Sequence, residues 1–293
     1  MFKGSCVALV SPMTNNGEID EKALFELVEW HITEGTSAIV VAGSTGESAT
    51  LTAKEQAEML ALICKTAKRR IPIIAGTGTN STQTTIERTQ TAKEIGADAC
   101  LVVTPYYNRP TQEGLISHYT ALTKATNIPI LLYNVPSRTA CDLLPETVGT
   151  LSKIPSIIGI KEATGNLQRL KDLTEACEKG FAFYSGDDPT ALDFILKGGH
   201  GVISITSNVA PKRMQEMCNL ALMNERSKAH AIDETLQQLH RMLIAEPNPI
   251  PVKWAMQKMG KMAGHLRLPL TIFSVQHHKN MISALHTAGL TDI

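Results

Sequence analysis

Residues 157–161 read Ile-Ile-Gly-Ile-Lys, a short apolar run rich in β-branched side chains that ends in a lysine. Seven further apolar runs of similar length recur along the first two thirds of the chain, at 6–10, 38–42, 71–75, 99–104, 129–133, 181–185 and 201–205. Strands that are buried on both faces have this near-continuous apolar character. The sequence therefore predicts eight buried strands.

Amphipathic segments separate these runs. In 21–33 the apolar side chains recur at helical spacing, and Thr52 and Glu55 form a capping box that opens the next helix. Asp188 precedes a proline and is typical of an N-cap. Strands that alternate with helices through short loops form a parallel sheet, and eight such repeats favour closure into a (β/α)8 barrel. An open doubly wound sheet is the competing architecture.

The chain beyond residue 225 has a different pattern. It lacks strand-like runs, and 227–244, 249–260 and 271–288 have helical character, with a proline-rich link at 246–251. We therefore predict a catalytic barrel over residues 1–224 and a helical domain over residues 225–293.

Composition excludes several classes of protein. Lys plus Arg and Asp plus Glu each total 28 of the 293 residues, and this zero balance argues against a nucleic-acid surface. No apolar run approaches the roughly 20 residues that span a bilayer, and the N-terminus resembles a first strand more than a signal peptide. The six cysteines are scattered without metal-ligand spacing. We expect a cytoplasmic protein that binds neither nucleic acid nor membrane and holds no metal.

Lys161 is the residue that points most directly to chemistry. The active site of a (β/α)8 barrel lies at the carboxyl ends of its strands, where Lys161 is predicted to lie. Burial disfavours an ammonium, so we expect a lowered pKa and a free amine that can attack a carbonyl. The alternative is a lysine that extends out of the strand end into solvent.

Tyrosines and hydroxyls cluster at the same predicted edge. Tyr133 ends the fifth run, and a phenol near a lysine can transfer protons. The alternative for Tyr133 is a structural role, with its ring packed in the core and its hydroxyl bonded locally. Ser44 and Thr45 lie between glycines that let backbone N–H groups approach a carboxylate, although a plain turn has the same pattern. Arg138 is a candidate carboxylate ligand or a surface ion-pair partner.

Motifs that would indicate a nucleotide or zinc site are incomplete or absent in the sequence. The chain lacks a complete dinucleotide-binding glycine pattern, a phosphate-binding P-loop and an H-E-x-x-H zinc motif. If the Lys161 amine supplies the electron sink, no cofactor is needed.

Six stretches together resemble the dihydrodipicolinate synthase family of pyruvate-dependent Schiff-base lyases, and the likeness extends from residue 2 to about residue 290. The stretches are GSTGES at 43–48, TPYYNRP at 104–110, YNVPSRT at 133–139, GIKEATG at 159–165, GDD at 186–188 and EPNPIPVK at 246–253.

The resemblance implies the reaction and the role of each residue. Lys161 would form an imine with pyruvate, and condensation with L-aspartate 4-semialdehyde would give 4-hydroxy-tetrahydrodipicolinate, the first committed step of diaminopimelate and lysine biosynthesis. Tyr133 would transfer protons, with Ser44 and Tyr107 completing a hydroxyl relay. Substrate binding would fall to Thr45, Arg138, Gly186 and the backbone of Ile203. Tyr107 would reach the neighbour's site across a tight dimer, and two such dimers would form a homotetramer.

Two departures from the family pattern matter. Ser44 stands where threonine is usual, so we expect a looser relay. Lysine-sensitive members bind this effector at the dimer interface, and part of their pattern is present here as Ser48, Ala49, Asn80 and Tyr106. Histidines and a glutamate common in that pattern are replaced by Ala53, Gln56 and Thr84. Loss of the carboxylate predicts weak lysine inhibition.

Two alternatives remain at this point. One is another pyruvate-dependent aldolase of the same fold, such as N-acetylneuraminate lyase, although the sugar lyases lack an arginine at the position of Arg138. The other is a barrel that binds a keto acid without turning it over. The set of Lys161, Tyr133 and Arg138 argues against this non-catalytic alternative.

Overall fold

The structure, a computed structural model, describes residues 2–290 and has a closed barrel at its centre. Eight parallel strands follow one another around the barrel in sequence order, and the first pairs with the last. This architecture confirms the predicted (β/α)8 barrel and excludes the open sheet. The strands are Gly4–Ala8 (β1), Ala38–Val41 (β2), Ile73–Gly76 (β3), Ala99–Val103 (β4), Ile130–Asn134 (β5), Ile157–Glu162 (β6), Ala182–Ser185 (β7) and Gly201–Ser204 (β8).

Helices surround the barrel and extend beyond it. Within the described residues they are Glu21–Thr33 (α1), Ala53–Ala67 (α2), Thr82–Ile95 (α3), Gln112–Ala125 (α4), Pro136–Thr139 (α5), Pro145–Ser152 (α6), Gln168–Ala176 (α7), Ala191–Leu196 (α8), Pro211–Leu222 (α9), Arg226–Met242 (α10), Ile250–Lys258 (α11) and Val275–Thr287 (α12). The capping box predicted at Thr52 and Glu55 opens α2, with both reciprocal hydrogen bonds formed.

Some predicted boundaries shift for identifiable reasons. β1 ends at Ala8 because the Val10 N–H leaves the ladder and donates to the side chain of Asn208 at 3.0 Å. The predicted N-cap role of Asp188 is wrong. Its Oδ2 atom accepts instead from the backbone N–H groups of Ile205 and Thr206, both at 2.9 Å, and so ties the end of β7 to the end of β8.

The helices after the barrel pack on it through α10. α10 lies against α8, α9 and α12, and its apolar face joins the same hydrophobic core as the outer face of the strands. The division at residue 225 stays a prediction. No helix within residues 2–290 is both long and apolar enough to cross a bilayer.

Candidate active site

A cavity of about 390 Å³ opens at the carboxyl ends of the strands. This is the edge at which (β/α)8 barrels carry their active sites. Polar side chains from three strand ends and from the link before α11 line it, namely Ser44, Thr45, Tyr133, Ser137, Arg138, Lys161, Glu246 and Asn248.

Lys161 and Tyr133 form the centre of this cavity. They are direct partners in the ladder between β5 and β6, and Lys161 Nζ lies 4.5 Å from the centroid of the Tyr133 ring. Lys161 is only 6% exposed, so it does not extend into bulk solvent as the alternative required. Burial takes the amine out of water while the phenol remains close to it.

The residues around Lys161 leave the amine as the nucleophile. Tyr184 is its ladder partner on the other side, but the Tyr184 hydroxyl donates to the carbonyl of Phe2 at 2.6 Å. Cys6 is fully buried in the same interior cluster, and burial raises the pKa of its thiol to about 12. A neutral thiol is a poor nucleophile.

Gly186 provides the space that Lys161 occupies. A Cβ atom at this position would come within 2.8 Å of Lys161 Cε and 2.6 Å of Ala163 Cβ. Only a residue without a side chain allows β7 to end against the lysine stem. Gly186 therefore shapes the cavity, and its role in substrate binding stays a prediction.

The Ser44–Thr45 turn is connected to the link before α11. Asn248 Nδ2 donates to Thr45 Oγ1 at 2.9 Å, and both residues are buried. Arg138 Nη2 approaches the Asn248 carbonyl at 3.4 Å. Asn248 thus touches two of the predicted substrate-binding residues. Sequence reasoning assigned it no role, and its only signal was a polar side chain between two prolines in the 246–251 link.

A buried ion pair lies next to the turn that carries Ser44 and Thr45. Glu47 and Lys253 both have fully buried side chains, and the Lys253 ammonium donates to Glu47 Oε1 and to the Ser11 carbonyl. Burial lowers the pKa of Lys253, and the Glu47 charge opposes that shift. The second Glu47 oxygen accepts the Arg267 N–H at 3.2 Å. The pair fixes α11 against the loop that carries Ser44 and Thr45.

A second network lies next to Lys161 along β6. Successive strand residues face opposite sides, so Glu162 lies on the other face of the sheet from Lys161. Glu162 accepts hydrogen bonds from Asn134 Nδ2 at 3.0 Å and from the Thr164 N–H at 2.8 Å. Burial raises the pKa of Glu162, and these donors oppose the shift. The network holds the ends of β5 and β6 together, beside the lysine and the tyrosine.

Two predicted residues do not line the cavity. Tyr107 is 89% exposed and lies outside the cavity wall in the described part of the chain. Ile203 lies within β8 with its side chain in the barrel interior, and Ile205 is the residue of this segment at the cavity wall. The roles of Tyr107 and of the Ile203 backbone stay predictions.

The predicted effector residues divide between two other cavities. Ser48, Ala49 and Tyr106 line one of about 290 Å³, which also borders Ser44 and Arg138. Another of about 170 Å³ lies between α2 and α3 and is lined by the residues at the three departing positions, Ala53, Gln56 and Thr84. Asn80 lines neither cavity; its carbonyl accepts from Asn108 Nδ2 at 2.8 Å.

The arrangement suits carbonyl chemistry on an amine. The cavity joins a buried primary amine, a phenol, three aliphatic hydroxyls and a guanidinium. Within residues 2–290, no group of three His, Cys, Asp or Glu side chains could hold a metal ion. The chemistry that these groups support is imine formation with a keto acid whose carboxylate is held by hydrogen-bond donors.

Known proteins of similar length resemble this chain in sequence and in fold. A 4-hydroxy-tetrahydrodipicolinate synthase of Methylococcus capsulatus is 53% identical over 290 residues, which cover 99% of this chain and 100% of the relative. One of Alcanivorax borkumensis is 52% identical over the full length of both chains. The crystal structure of the chloride-inhibited dihydrodipicolinate synthase of Acinetobacter baumannii, complexed with pyruvate, superposes with a TM-score of 0.98 at 48% identity, over 99% of this chain and 100% of that one.

The family model of the dihydrodipicolinate synthetase family matches residues 1–288. Together with the relatives, this match covers the barrel, the cavity and the helices that follow. The chain belongs to the dihydrodipicolinate synthetase family.

Proposed function

We propose that the protein condenses pyruvate with L-aspartate 4-semialdehyde through a Schiff base on Lys161 and releases 4-hydroxy-tetrahydrodipicolinate. The observation that carries the proposal is the burial of Lys161 at a strand end, with its side-chain nitrogen 4.5 Å from the centre of the Tyr133 ring. The names of the relatives support the same lyase reaction.

The first half of the reaction activates pyruvate. The Lys161 amine adds to the keto carbon, the carbinolamine loses water, and the protonated imine forms. Loss of a proton from the pyruvate methyl group then gives an enamine. Tyr133 is the neighbouring acid and base for these transfers, and Ser44 extends the path from the cavity wall. Thr45, held by Asn248, offers a hydroxyl to the pyruvate carboxylate.

The second half forms the new carbon–carbon bond. The enamine carbon attacks the aldehyde of L-aspartate 4-semialdehyde, whose carboxylate pairs with the Arg138 guanidinium. The substrate's own amine then displaces Lys161 from the imine carbon, which closes the ring and returns the free lysine. Electrons and atoms balance without a cofactor, because water is the only molecule lost before the ring closes.

The proposal includes a homotetramer built from two tight dimers. Tyr107 supports it, because this large aromatic side chain is 89% exposed on a residue held at a positive φ of 74°. An exposed phenol fits a role in a neighbouring chain, where it would complete the relay of Tyr133 and Ser44. We also propose that the enzyme is cytoplasmic.

We further propose weak lysine inhibition. Gln56 occupies its side-chain amide with the carbonyls of Ser48 and Leu51, at 2.8 and 3.2 Å. Thr84 offers no carboxylate for an effector ammonium. An inhibition constant as low as that of sensitive members of the family would contradict this part of the proposal.

The test follows pyruvate consumption by the purified protein, with and without L-aspartate 4-semialdehyde. We expect consumption only with the semialdehyde, and a borohydride-stable pyruvate adduct on Lys161 in the mass spectrum. Lys161→Ala should abolish both, while Lys153→Ala, a lysine exposed at the end of α6, should change neither. An adduct without semialdehyde-dependent turnover would favour another aldolase, and a missing adduct would refute the imine.

A further inference from the structure

The ladder between β5 and β6 contains a β-bulge. Ile130 pairs with Ile157, but the next residue of β5, Leu131, pairs with Gly159, so the ladder passes over Ile158. An inserted residue of this kind reverses the face to which the later side chains of the strand point. The bulge therefore determines which residues of β6 face the barrel interior.

The side chains of β6 show this reversal. Ile158 packs in the barrel interior, whereas Ile160, two residues later, lies in the outer core between strands and helices. Strict alternation would place both on one face. Lys161 reaches the cavity because the reversal precedes it. In a regular ladder Tyr133 would pair with Ile160, and Lys161 would pair with Asn134 on the outer face.

Gly159 makes the bulge compatible with the neighbouring strand. A Cβ atom at this position would lie 2.5 Å from the Ala182 carbonyl oxygen and 2.8 Å from Ala182 Cβ in β7. Both distances are shorter than real Cβ contacts, so β7 leaves room only for a residue without a side chain. Bulges next to active sites re-aim side chains in this way.

A buried hydrogen bond on the outer face joins the two strands just after the bulge. Asn134 and Glu162 are direct ladder partners, each one residue beyond Tyr133 and Lys161. Asn134 Nδ2 donates to Glu162 Oε2 at 3.0 Å, and the two residues are 0% and 3% exposed. The hydrogen bond forms only in the bulged register, because a regular ladder would place Lys161 opposite Asn134.

Both side chains of this pair are held from outside the ladder. Asn134 Oδ1 accepts the Leu143 N–H at 3.0 Å, and Glu162 Oε1 accepts the Thr164 N–H at 2.8 Å. Arg169 of α7 lies with its Nε atom 3.8 Å from Glu162 Oε2. None of these groups lines the cavity that contains Lys161. The pair can therefore affect the reaction only through the backbone that it holds.

We propose that Asn134 and Glu162 are positioning residues, which hold the bulged register and so keep the Lys161 amine inside the cavity beside Tyr133. The inference deepens the proposed function and rests on it for the role of Lys161. When the hydrogen bond is lost, the end of β6 shifts toward the regular register, and the amine moves away from the phenol. The first half of the reaction then slows, although no group that touches substrate has changed.

The test follows the exchange of pyruvate methyl protons for deuterium by NMR, in D₂O and without the semialdehyde. Exchange requires the imine on Lys161 and loss of a methyl proton, so its rate reports the first half of the reaction alone. In Glu162→Gln, one amide oxygen must serve the two N–H groups that the carboxylate accepts. We expect the exchange rate at saturating pyruvate to fall about tenfold or more.

A reversed pair should rescue this loss. Asn134→Asp alone brings two carboxylates together and should be at least as slow as Glu162→Gln. In the double variant the amide at position 162 can donate to the carboxylate at position 134, and we expect exchange about threefold or more faster than in either single variant. Rescue stays partial, because the Asp142 carboxylate loses the hydrogen bond from Asn134. Two independent structural losses would add instead.

Glu146→Gln is the matched control. It also replaces a carboxylate by an amide, but Glu146 is exposed in the first turn of α6 and does not line the cavity. We expect an exchange rate within about twofold of the unmodified protein, since an exposed charge at a distance is screened by salt. Melting temperatures of all variants verify that each is folded.

Crystal structures of the unmodified protein and of Glu162→Gln separate this inference from the proposed function. We expect the Lys161 nitrogen 4.5 Å from the centre of the Tyr133 ring in the unmodified protein. In the variant it should move by about 0.5 Å or more. If the unmodified protein neither exchanges methyl protons nor forms the borohydride adduct, the proposed function fails, and the displacement still tests the positioning role. An unmoved lysine, or equal exchange rates in Glu162→Gln and Glu146→Gln, would overturn the inference.

Discussion

Substitution of Gly186 by alanine should inactivate the protein by moving Lys161. Gly186 does not have a positive φ, so the backbone accepts an alanine and the effect comes from space alone. The new Cβ would lie 2.8 Å from Lys161 Cε and 2.6 Å from Ala163 Cβ, where contacts of 3.4–4 Å are ordinary. Ala163 also presents its Cα at 3.1 Å, so both the lysine stem and the backbone after β6 must shift.

The size of the effect follows from this overlap. Relief of the contact requires the lysine stem to move by about 0.6 Å or more, and a displacement of about 1 Å at a reacting group reduces the rate by about 100-fold. We therefore expect kcat/KM for pyruvate to fall by about 10- to 100-fold in Gly186→Ala. Stability should change by only about 1–3 kcal/mol, the usual effect of overpacking.

The assay compares Gly186→Ala with Gly43→Ala. Both glycines line the cavity, but a Cβ at Gly43 would meet only Val40 Cγ1, at an ordinary distance of 3.8 Å. Steady-state kinetics and the rate of borohydride trapping should therefore separate the two variants by about tenfold or more. Equal activity of the two would refute the claim that Gly186 makes room for the nucleophile.

Three further predictions concern the support of the site and the stability of the fold. Lys253→Met leaves the buried Glu47 carboxylate without its partner and should lower the free energy of unfolding, measured in urea, by about 3–5 kcal/mol. Addition of Glu47→Gln to this variant should restore much of the lost stability. Full stability of Lys253→Met alone would contradict the importance of the ion pair. Asn248→Ala removes the donor to Thr45 and should lower kcat/KM for pyruvate about tenfold with an unchanged melting temperature; a drop in melting temperature alone would show a structural role instead. Burial lowers the pKa of His31 to about 3. Below pH 6.5 the His31 imidazole therefore binds a proton in the unfolded chain but not in the native chain. His31 should therefore contribute a fall in stability of about 2 kcal/mol between pH 6.5 and 5. The total fall should be smaller by about that amount in His31→Gln when urea unfolding is measured at both values, and an equal fall in both proteins would contradict this contribution.

The barrel was predictable because its signal is local. Strands buried on both faces need continuous apolar runs, and such runs mark all eight strands within a few residues. The ends were less certain, because they depend on distant partners. β1 ends at Ala8 because the Val10 N–H donates to the side chain of Asn208, which lies 198 residues later in the sequence.

The site was predictable only in part. Lys161 and Tyr133 end apolar runs, so their position follows from the strands that carry them. Asn248 has no such signal, because its contact with Thr45 spans 203 residues of sequence. Lys253 is a lysine with a fully buried side chain, a rare environment that composition gives no reason to expect.

Pairing of the first strand with the last has a consequence for synthesis on the ribosome. Until Gly201–Ser204 emerges, β1 has no neighbour on one side, and the growing sheet has two open edges. The nascent chain must therefore keep these edges from other chains while about two thirds of the protein is made. A chain that stops before residue 201 would keep both edges open, and it would lack Asn248 as well. Chains truncated before residue 201 should therefore aggregate and should not form small, partly active enzymes.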